Sequence, residues 1–276
     1  MTNEIYGIDY LRRRLADKQT RVLLRYKYYE MKNNVQDFSS LAPEKFKGLK
    51  ETIGWCAKAV DSLADRLQFD EFQNDEFNLS EIFLSNNQDI LIDSAVLSAL
   101  ISACSFVYIR EDNRYPRLQV IDGSNATGII DPVTNLLTEG YAVLERDSMG
   151  VVKTEAYFMA GMTEIYSHDV LVQRIPNPAP YALLVPIIYR PDAKRPFGHS
   201  RISRACIAYT QTALRTIKRS EVSAEFYSFP QKYVLGLSED AEFNNRLATI
   251  SSFLNFTKDG DGDHPIVGQF QQQSMT

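Results

Sequence analysis

Apolar residues recur at helical spacing through the first third of the chain. The spacing predicts a helix over Tyr10 to Lys32, a second from about Gly48 to Leu67, and a third from about Asn87 to Cys104. The apolar stripe of the first helix consists of Leu11, Leu15, Val22, Tyr26 and Tyr29. This helix is also basic and rich in tyrosine.

From Phe106 onward, short runs of strand-forming residues replace the helical spacing. The runs predict six strands: Phe106 to Arg110, Arg117 to Ile121, Gly128 to Ile130, Gly140 to Arg146, Val151 to Ala160 and Thr163 to Tyr166. Turn signals such as Asp131-Pro132 separate them, and no helical segment intervenes. This order predicts an antiparallel sheet, which a proline-rich connector from Pro176 to Pro196 follows.

The strongest helical signal lies in the last third of the chain. Ser200 to Phe229 contains no Gly or Pro, Pro230 ends it, and Ser200 is the predicted N-cap. At 1.5 Å per residue this helix would span about 45 Å, which favours packing against copies of itself or crossing between two layers. The segments predicted after it are a strand (Tyr233 to Leu237), a short helix (Glu239 to Ser251), a turn (Asp259 to Asp263) and a strand (Ile266 to Phe270). The fold class predicted is α+β.

Composition places the chain among ordinary globular proteins. It has 276 residues, 44% of them hydrophobic and 24% charged, with a formal net charge of −5. Its three cysteines, Cys56, Cys104 and Cys206, are too few for a disulfide scaffold, and their odd number favours a reducing compartment. The N-terminus has no apolar leader, and no apolar stretch is long enough for a bilayer span. A soluble cytosolic protein without membrane contacts is therefore expected.

The modest net charge conceals two opposed blocks. Between Asp61 and Asp89 there are eight acidic residues and one basic residue, Arg66, whereas between Arg190 and Arg219 there are eight basic residues and one acidic residue, Asp192. Such asymmetry predicts either surfaces that meet different partners, or surfaces that meet each other across a subunit contact. Two solvated faces are the simpler interpretation.

Recognisable catalytic chemistry is absent from the sequence. There is no phosphate-binding loop, no dinucleotide fingerprint and no Cys-x-x-Cys pair, and the three histidines are dispersed. The run Asp259 to Asp263 begins like a calcium loop, but His264 stands where the loop needs glycine and Phe270 where it needs glutamate. Neither a metal ion nor a cofactor is predicted.

The ordered segments from Val185 onward resemble those of a known family. Val185-Pro186-Ile187-Ile188-Tyr189-Arg190-Pro191 and Pro196-Phe197-Gly198-His199-Ser200-Arg201-Ile202 precede the long helix, and Phe229-Pro230-Gln231-Lys232-Tyr233-Val234-Leu235-Gly236 ends it. Val267-Gly268-Gln269-Phe270 after the acidic turn, and Trp55 followed by Val60-Asp61-Ser62-Leu63, fit the same plan. Together they resemble the portal proteins of tailed double-stranded-DNA bacteriophages, in the branch common in phages of Gram-positive bacteria.

The resemblance implies an architecture of three parts. Residues 1–195 would be the wing, made of helices and then the antiparallel sheet. Residues 196–230 would carry the stem helix, and residues 231–276 a small α/β clip. Portal subunits form a ring, usually of twelve, around a DNA channel at one capsid vertex. Family members continue into a second stem helix, a tunnel loop and a crown, so this chain is expected to be a truncated portal subunit.

The resemblance also implies partners and contact residues, and a physical role rather than catalysis. The expected partners are other copies of the chain, double-stranded DNA bound without sequence specificity, the terminase, and head-completion, scaffolding or capsid proteins. The expected location is the virion, after assembly in the host cytoplasm. Arg215, Lys218 and Arg219 are the candidates for contacts with DNA phosphates or with a neighbouring subunit. The clip candidates for partner contacts are Lys258, Asp259, Asp261 and Asp263.

Two other functions stay open from the sequence. Asp61 and Asp65 lie one helical turn apart, so a metal-dependent phosphotransferase acting on nucleic acid could hold Mg²⁺ there and clamp its substrate with the basic helix. Alternatively, the basic block from Arg190 to Arg219 could make the chain a cytosolic helical adaptor for an acidic protein.

Overall fold

A computed structural model describes residues 5–32, 51–112, 115–228, 232–235 and 266–269. The helices are α1 (Ile8–Tyr29), α2 (Trp55–Ala64), α3 (Leu79–Ser85), α4 (Gln88–Ser102) and α5 (Arg204–Ser228). The strands are β1 (Cys104–Arg110), β2 (Arg117–Ile121), β3 (Ala126–Ile130), β4 (Leu137–Arg146), β5 (Val152–Met159), β6 (Met162–Ser167), β7 (Val170–Pro176), β8 (Leu184–Ile188), β9 (Lys232–Leu235) and β10 (Ile266–Gln269). The chain divides into two compact units, residues 1–34 with 52–211, and residues 35–51 with 212–276.

The strands of the first unit form two antiparallel sheets. A five-stranded meander has the order β3-β4-β5-β6-β7, and a three-stranded sheet has the order β2-β1-β8. In the second unit, β9 pairs with β10, with Val234 opposite Val267. The predicted α+β class, with helices before an antiparallel sheet, is confirmed.

The core of the first unit consists of three apolar clusters. One lies between the two sheets and includes the fully buried Phe106 and Phe158. Another joins α1, α2 and α4 to the start of α5 through residues such as Val60, Ile101 and Ile202. In the third, Leu11 and Leu15 of α1 pack on tyrosines and Val143 of the meander. Helix α1 therefore packs on both the sheet and the other helices, as its apolar stripe predicts.

Three elements were not predicted from the sequence. Helix α3 is only seven residues long, too short for a clear apolar period. Strand β7 is mostly exposed, and β8 lies within the predicted proline-rich connector. Pro186 pairs with Phe106 of β1, and it is tolerated because β8 is an edge strand of its sheet.

The long helix begins later than predicted. The Ser200 hydroxyl donates to the Ile101 carbonyl at 2.6 Å and accepts the Ile202 amide, so it holds the preceding loop instead of capping the helix. Ser203 caps α5, because its Oγ accepts the Cys206 amide at 3.1 Å. The prediction of Ser200 as N-cap was wrong for this tertiary reason.

Buried tyrosines make the stability of the fold sensitive to alkaline pH. Burial raises the pKa of Tyr26 to about 12, and burial together with the hydrogen bond to Asp61 raises the pKa of Tyr29 to about 12. Burial and a glutamate partner also raise the pKa values of Tyr141 and Tyr157. The folded state thus favours the neutral phenols more than the unfolded state does, whose pKa is about 10.

We therefore expect the free energy of unfolding to be fully retained below about pH 10 and to fall as the pH rises through about 12. Urea unfolding across this range, followed alongside tyrosinate absorbance, measures the decrease. Tyr29→Phe removes one of the titrating groups and should make the decrease smaller. An unfolding free energy that stays constant across this range would contradict the prediction.

Candidate functional site

Two buried carboxylates of the meander hold α1 in place. Glu139 is 4% exposed and accepts the backbone amides of Tyr6 and Gly7, both at 2.9 Å, at the N-terminus of α1. A carboxylate at this end of a helix also complements the helix dipole. Glu155 is 3% exposed and is paired with Arg12, and it accepts the hydroxyl of Tyr141. These contacts determine which face of α1 stays outside the core.

That outer face of α1 forms one wall of a strongly basic cleft. The cleft has a volume of about 860 Å³, and its second wall is the segment from residue 195 to residue 207. Six cationic side chains line it: Arg14, Lys18, Arg21, Arg25, Arg195 and Arg204. The acidic residue among the lining residues is Asp17. The cleft therefore carries a large excess of positive charge.

Two of these cations are anchored in the floor of the cleft. Lys18 Nζ donates to the Ala126 carbonyl at 2.6 Å, and Arg25 Nη1 donates to the Ser102 carbonyl at 2.8 Å. Burial lowers the pKa of both groups, and the neighbouring Arg21 lowers both further. An anion in the cleft would offset the cost of desolvation and repulsion, because an opposite charge nearby favours the charged forms of both groups.

The second wall is a loop held by its own hydrogen bonds. Asp192 Oδ1 accepts the Arg195 amide at 2.7 Å, and His199 Nε2 lies 2.6 Å from Asp192 Oδ2. The His199 contact and the backbone amides lower the pKa of Asp192. The Phe197 ring lies beneath the charges of Arg14 and Lys18, at 5.5 and 5.8 Å. The wall is thus ordered without placing a carboxylate on the cationic stripe.

The ion pairs among the described residues do not include the six cations of the cleft. Arg12, on the same helix, shows the contrast because it pairs with Asp9, Glu155 and Asp169. The cleft is therefore suited to bind an anionic group.

The stem candidates occupy two different environments on α5. Arg215 and Arg219 are exposed, whereas Lys218 is only 4% exposed. Each of the three takes part in an interaction. The clip candidates Lys258, Asp259, Asp261 and Asp263 lie outside the described residues, as does the predicted helix from Glu239 to Ser251.

Asp61 and Asp65 of α2, the two aspartates that could hold magnesium, already have places in the fold. Asp61 accepts the Tyr29 hydroxyl at 2.9 Å, and Asp65 lies at the C-terminal end of the helix. Among the described residues, no group of three or more His, Cys, Asp or Glu side chains is placed to hold a metal ion. Within the described part of the chain, the fold therefore brings no further metal ligand close to Asp61 and Asp65.

Two features of this region were missed from the sequence. The basic helix and the basic block are far apart in the sequence, and only the fold places Arg195 and Arg204 opposite α1. Similarly, Cys56 and Cys206 are distant in sequence, yet their sulfur atoms lie 3.2 Å apart as free thiols. The sequence does contain a signal for one wall of the cleft, because the cations at positions 14, 18, 21 and 25 recur at the spacing of one helical face.

Comparison with known proteins assigns no family to the chain. No protein-family model matches it, and no curated protein matches it significantly. Within the described residues, no helix is long and apolar enough to span a membrane. The class of protein that the structure defines is an α+β protein with a basic cleft beside a long helix.

Proposed function

We propose that this chain is a portal-type subunit of a tailed-bacteriophage capsid, which forms a ring around the DNA channel. The observation that carries the proposal is the order of the elements. Helices and an antiparallel meander come first, then α5 over 25 residues, then strands β9 and β10, which pair across the intervening segment. This order corresponds to the wing, stem and clip that the sequence resemblance implies.

In this proposal the chain acts by position and charge rather than by catalysis. A ring of identical subunits repeats each surface around one axis, so each subunit presents two different faces to its neighbours. DNA would pass through without sequence recognition, because phosphate contacts carry no base information. Terminase, head-completion, scaffolding and capsid proteins would dock outside the channel.

The purified full chain is expected to form closed rings. Negative-stain imaging shows the particles directly, and light scattering coupled to size exclusion gives their mass as a multiple of 31.5 kDa. A chain that stays monomeric at every concentration and salt condition would contradict the proposal.

The exposed arginines of α5 provide a test of the channel role. Arg215→Gln with Arg219→Gln is expected to weaken binding of duplex DNA by assembled rings. The slope of log affinity against log salt should fall by about one for each phosphate that the variant no longer neutralises. Arg110→Gln, an exposed change on β1, is the matched control. Unchanged affinity and unchanged salt slope in the double variant would show that Arg215 and Arg219 do not contact DNA in the channel.

The adaptor function is the second candidate, because the basic cleft is a ready surface for an acidic protein. The same light-scattering measurement separates the two candidates, since an adaptor needs no ring of its own copies.

A further inference from the structure

The basic cleft has the shape of a site for an extended anionic segment. Arg14, Lys18, Arg21 and Arg25 follow one face of α1, and Arg204 lines the opposite wall. The eleven helical steps from Arg14 to Arg25, at 1.5 Å each, extend about 16 Å, which equals roughly five residues of extended chain at 3.3 Å each. The cations are thus arranged along a line instead of around a point.

The same chain carries a segment with the complementary charge. Between α2 and α3, residues 65–77 form no regular secondary structure. Four of the acidic residues there are exposed and, across the described residues, form no ion pair: Asp65, Asp70, Glu71 and Glu76. Two large apolar side chains, Leu67 and Phe77, are also exposed, Phe77 by 78%.

The segment does not fill the cleft of its own chain. None of its residues lines the cleft. The ionic groups that shift the pKa of the half-buried Lys18 and Arg25 are Asp122, Arg14, Arg21 and Arg195, and none of them belongs to the segment. Within the described residues, these two complementary surfaces of one compact unit do not meet each other.

We propose that the basic cleft of one subunit binds the acidic segment 65–77 of a second copy of the chain. Carboxylates of the segment would pair with the cationic stripe, and its exposed apolar side chains would cover the exposed Leu24 at the cleft. Because the two surfaces differ, the contact is head-to-tail, which closes into a ring or extends into a filament. Because a contact within a ring presupposes that the chain forms a ring, this inference rests on the proposed function.

Charge and shape favour an acidic segment over a nucleic acid. Single-stranded nucleic acids bind basic grooves that also offer aromatic rings for base stacking. Two aromatic rings line this cleft, but Phe197 is half-buried under Arg14 and Lys18, and the His199 imidazole is held by Asp192.

A labelled peptide of residues 65–77 tests the cleft directly by fluorescence anisotropy on the full chain. The cleft variant Arg21→Glu with Arg204→Glu changes two exposed residues, and it is expected to weaken binding at least about tenfold. Arg13→Glu is the matched control, because Arg13 is exposed on α1 but does not line the cleft. Circular dichroism confirms that the variants are folded. Absence of binding, or equal binding to the cleft variant, would overturn the proposal.

Charge exchange tests the contact between full chains. The cleft variant alone and Asp70→Lys with Glu71→Lys alone are each expected to lose self-association in light scattering, and their mixture to regain it. Rings that persist in both separate variants would refute this contact while leaving the proposed portal function intact. A wild-type chain that stays monomeric would contradict both the ring and this contact, even if the cleft binds the isolated peptide. Duplex DNA or single-stranded RNA that binds the cleft in place of the peptide would also overturn the proposal.

Discussion

Replacement of Arg12 by alanine is expected to lower the free energy of unfolding by about 3–5 kcal/mol, because it leaves a buried carboxylate without its cation. Glu155 is almost fully buried on β5, and Arg12 is its charged partner from α1. The Arg12 pKa is raised by this contact, which indicates that the pair favours the charged guanidinium. Urea unfolding measures the change, and α1 should separate from the meander first.

A double variant separates two contributions to this loss of stability: the cost of the unpaired charge and the cost of the lost packing of a long side chain. Arg12→Met with Glu155→Gln removes both charges, keeps a similar volume, and leaves an acceptor for the Tyr141 hydroxyl. It should be more stable than Arg12→Ala by a few kcal/mol, on the order of the cost of an uncompensated buried charge. Arg13→Ala, one residue away and exposed, should change stability by less than about 0.5 kcal/mol. Equal stability of Arg12→Ala and the double variant would contradict the charge argument.

Replacement of Gly198 by alanine is expected to cost about 2–5 kcal/mol, since two penalties add. Gly198 has φ 72°, in the left-handed region that disfavours a side chain. A Cβ placed there would lie 2.2 Å from the Tyr189 carbonyl oxygen and 2.8 Å from Ile188 Cγ2. The loop that forms the second wall of the basic cleft would have to shift, so binding of the peptide 65–77 should weaken as well.

Gly150 provides the matched control for this substitution. It has φ 81°, but a Cβ there would meet no atom within 4 Å. Gly150→Ala therefore carries the backbone penalty alone, about 1–2 kcal/mol. Differential scanning calorimetry of the two variants isolates the steric cost. A Gly198→Ala protein no less stable than Gly150→Ala would show that the loop relaxes freely.

Local patterning predicted most of the regular structure. The apolar stripe of α1 and the alternation in β2 identified both elements, because each buries one face and the period appears in the sequence. The predicted β2 agrees with the structure at both ends. Strand β8 was missed because its tolerance of Pro186 depends on its position at the sheet edge, which the local sequence does not contain.

The candidate sites show the same division between features that the sequence reveals and features that only the fold reveals. The stem residues Arg215, Lys218 and Arg219 share a positive charge, but the charge does not reveal that Lys218 is buried while Arg215 and Arg219 are exposed. The cationic stripe of α1 is readable as a helical spacing, but the wall that makes it a cleft comes from residues nearly two hundred positions further along the chain.

The sequence alone was enough for the α+β class, for the order of the elements other than α3, β7 and β8, and for the separation of charge into an acidic and a basic block. These follow from periodicity and composition, which are local properties. Only the tertiary structure decided which basic residues face each other, which carboxylates are buried under α1, and which cysteines are neighbours. The reason is physical: burial and electrostatic repulsion depend on distances between segments, and folding sets those distances by packing the clusters of the core.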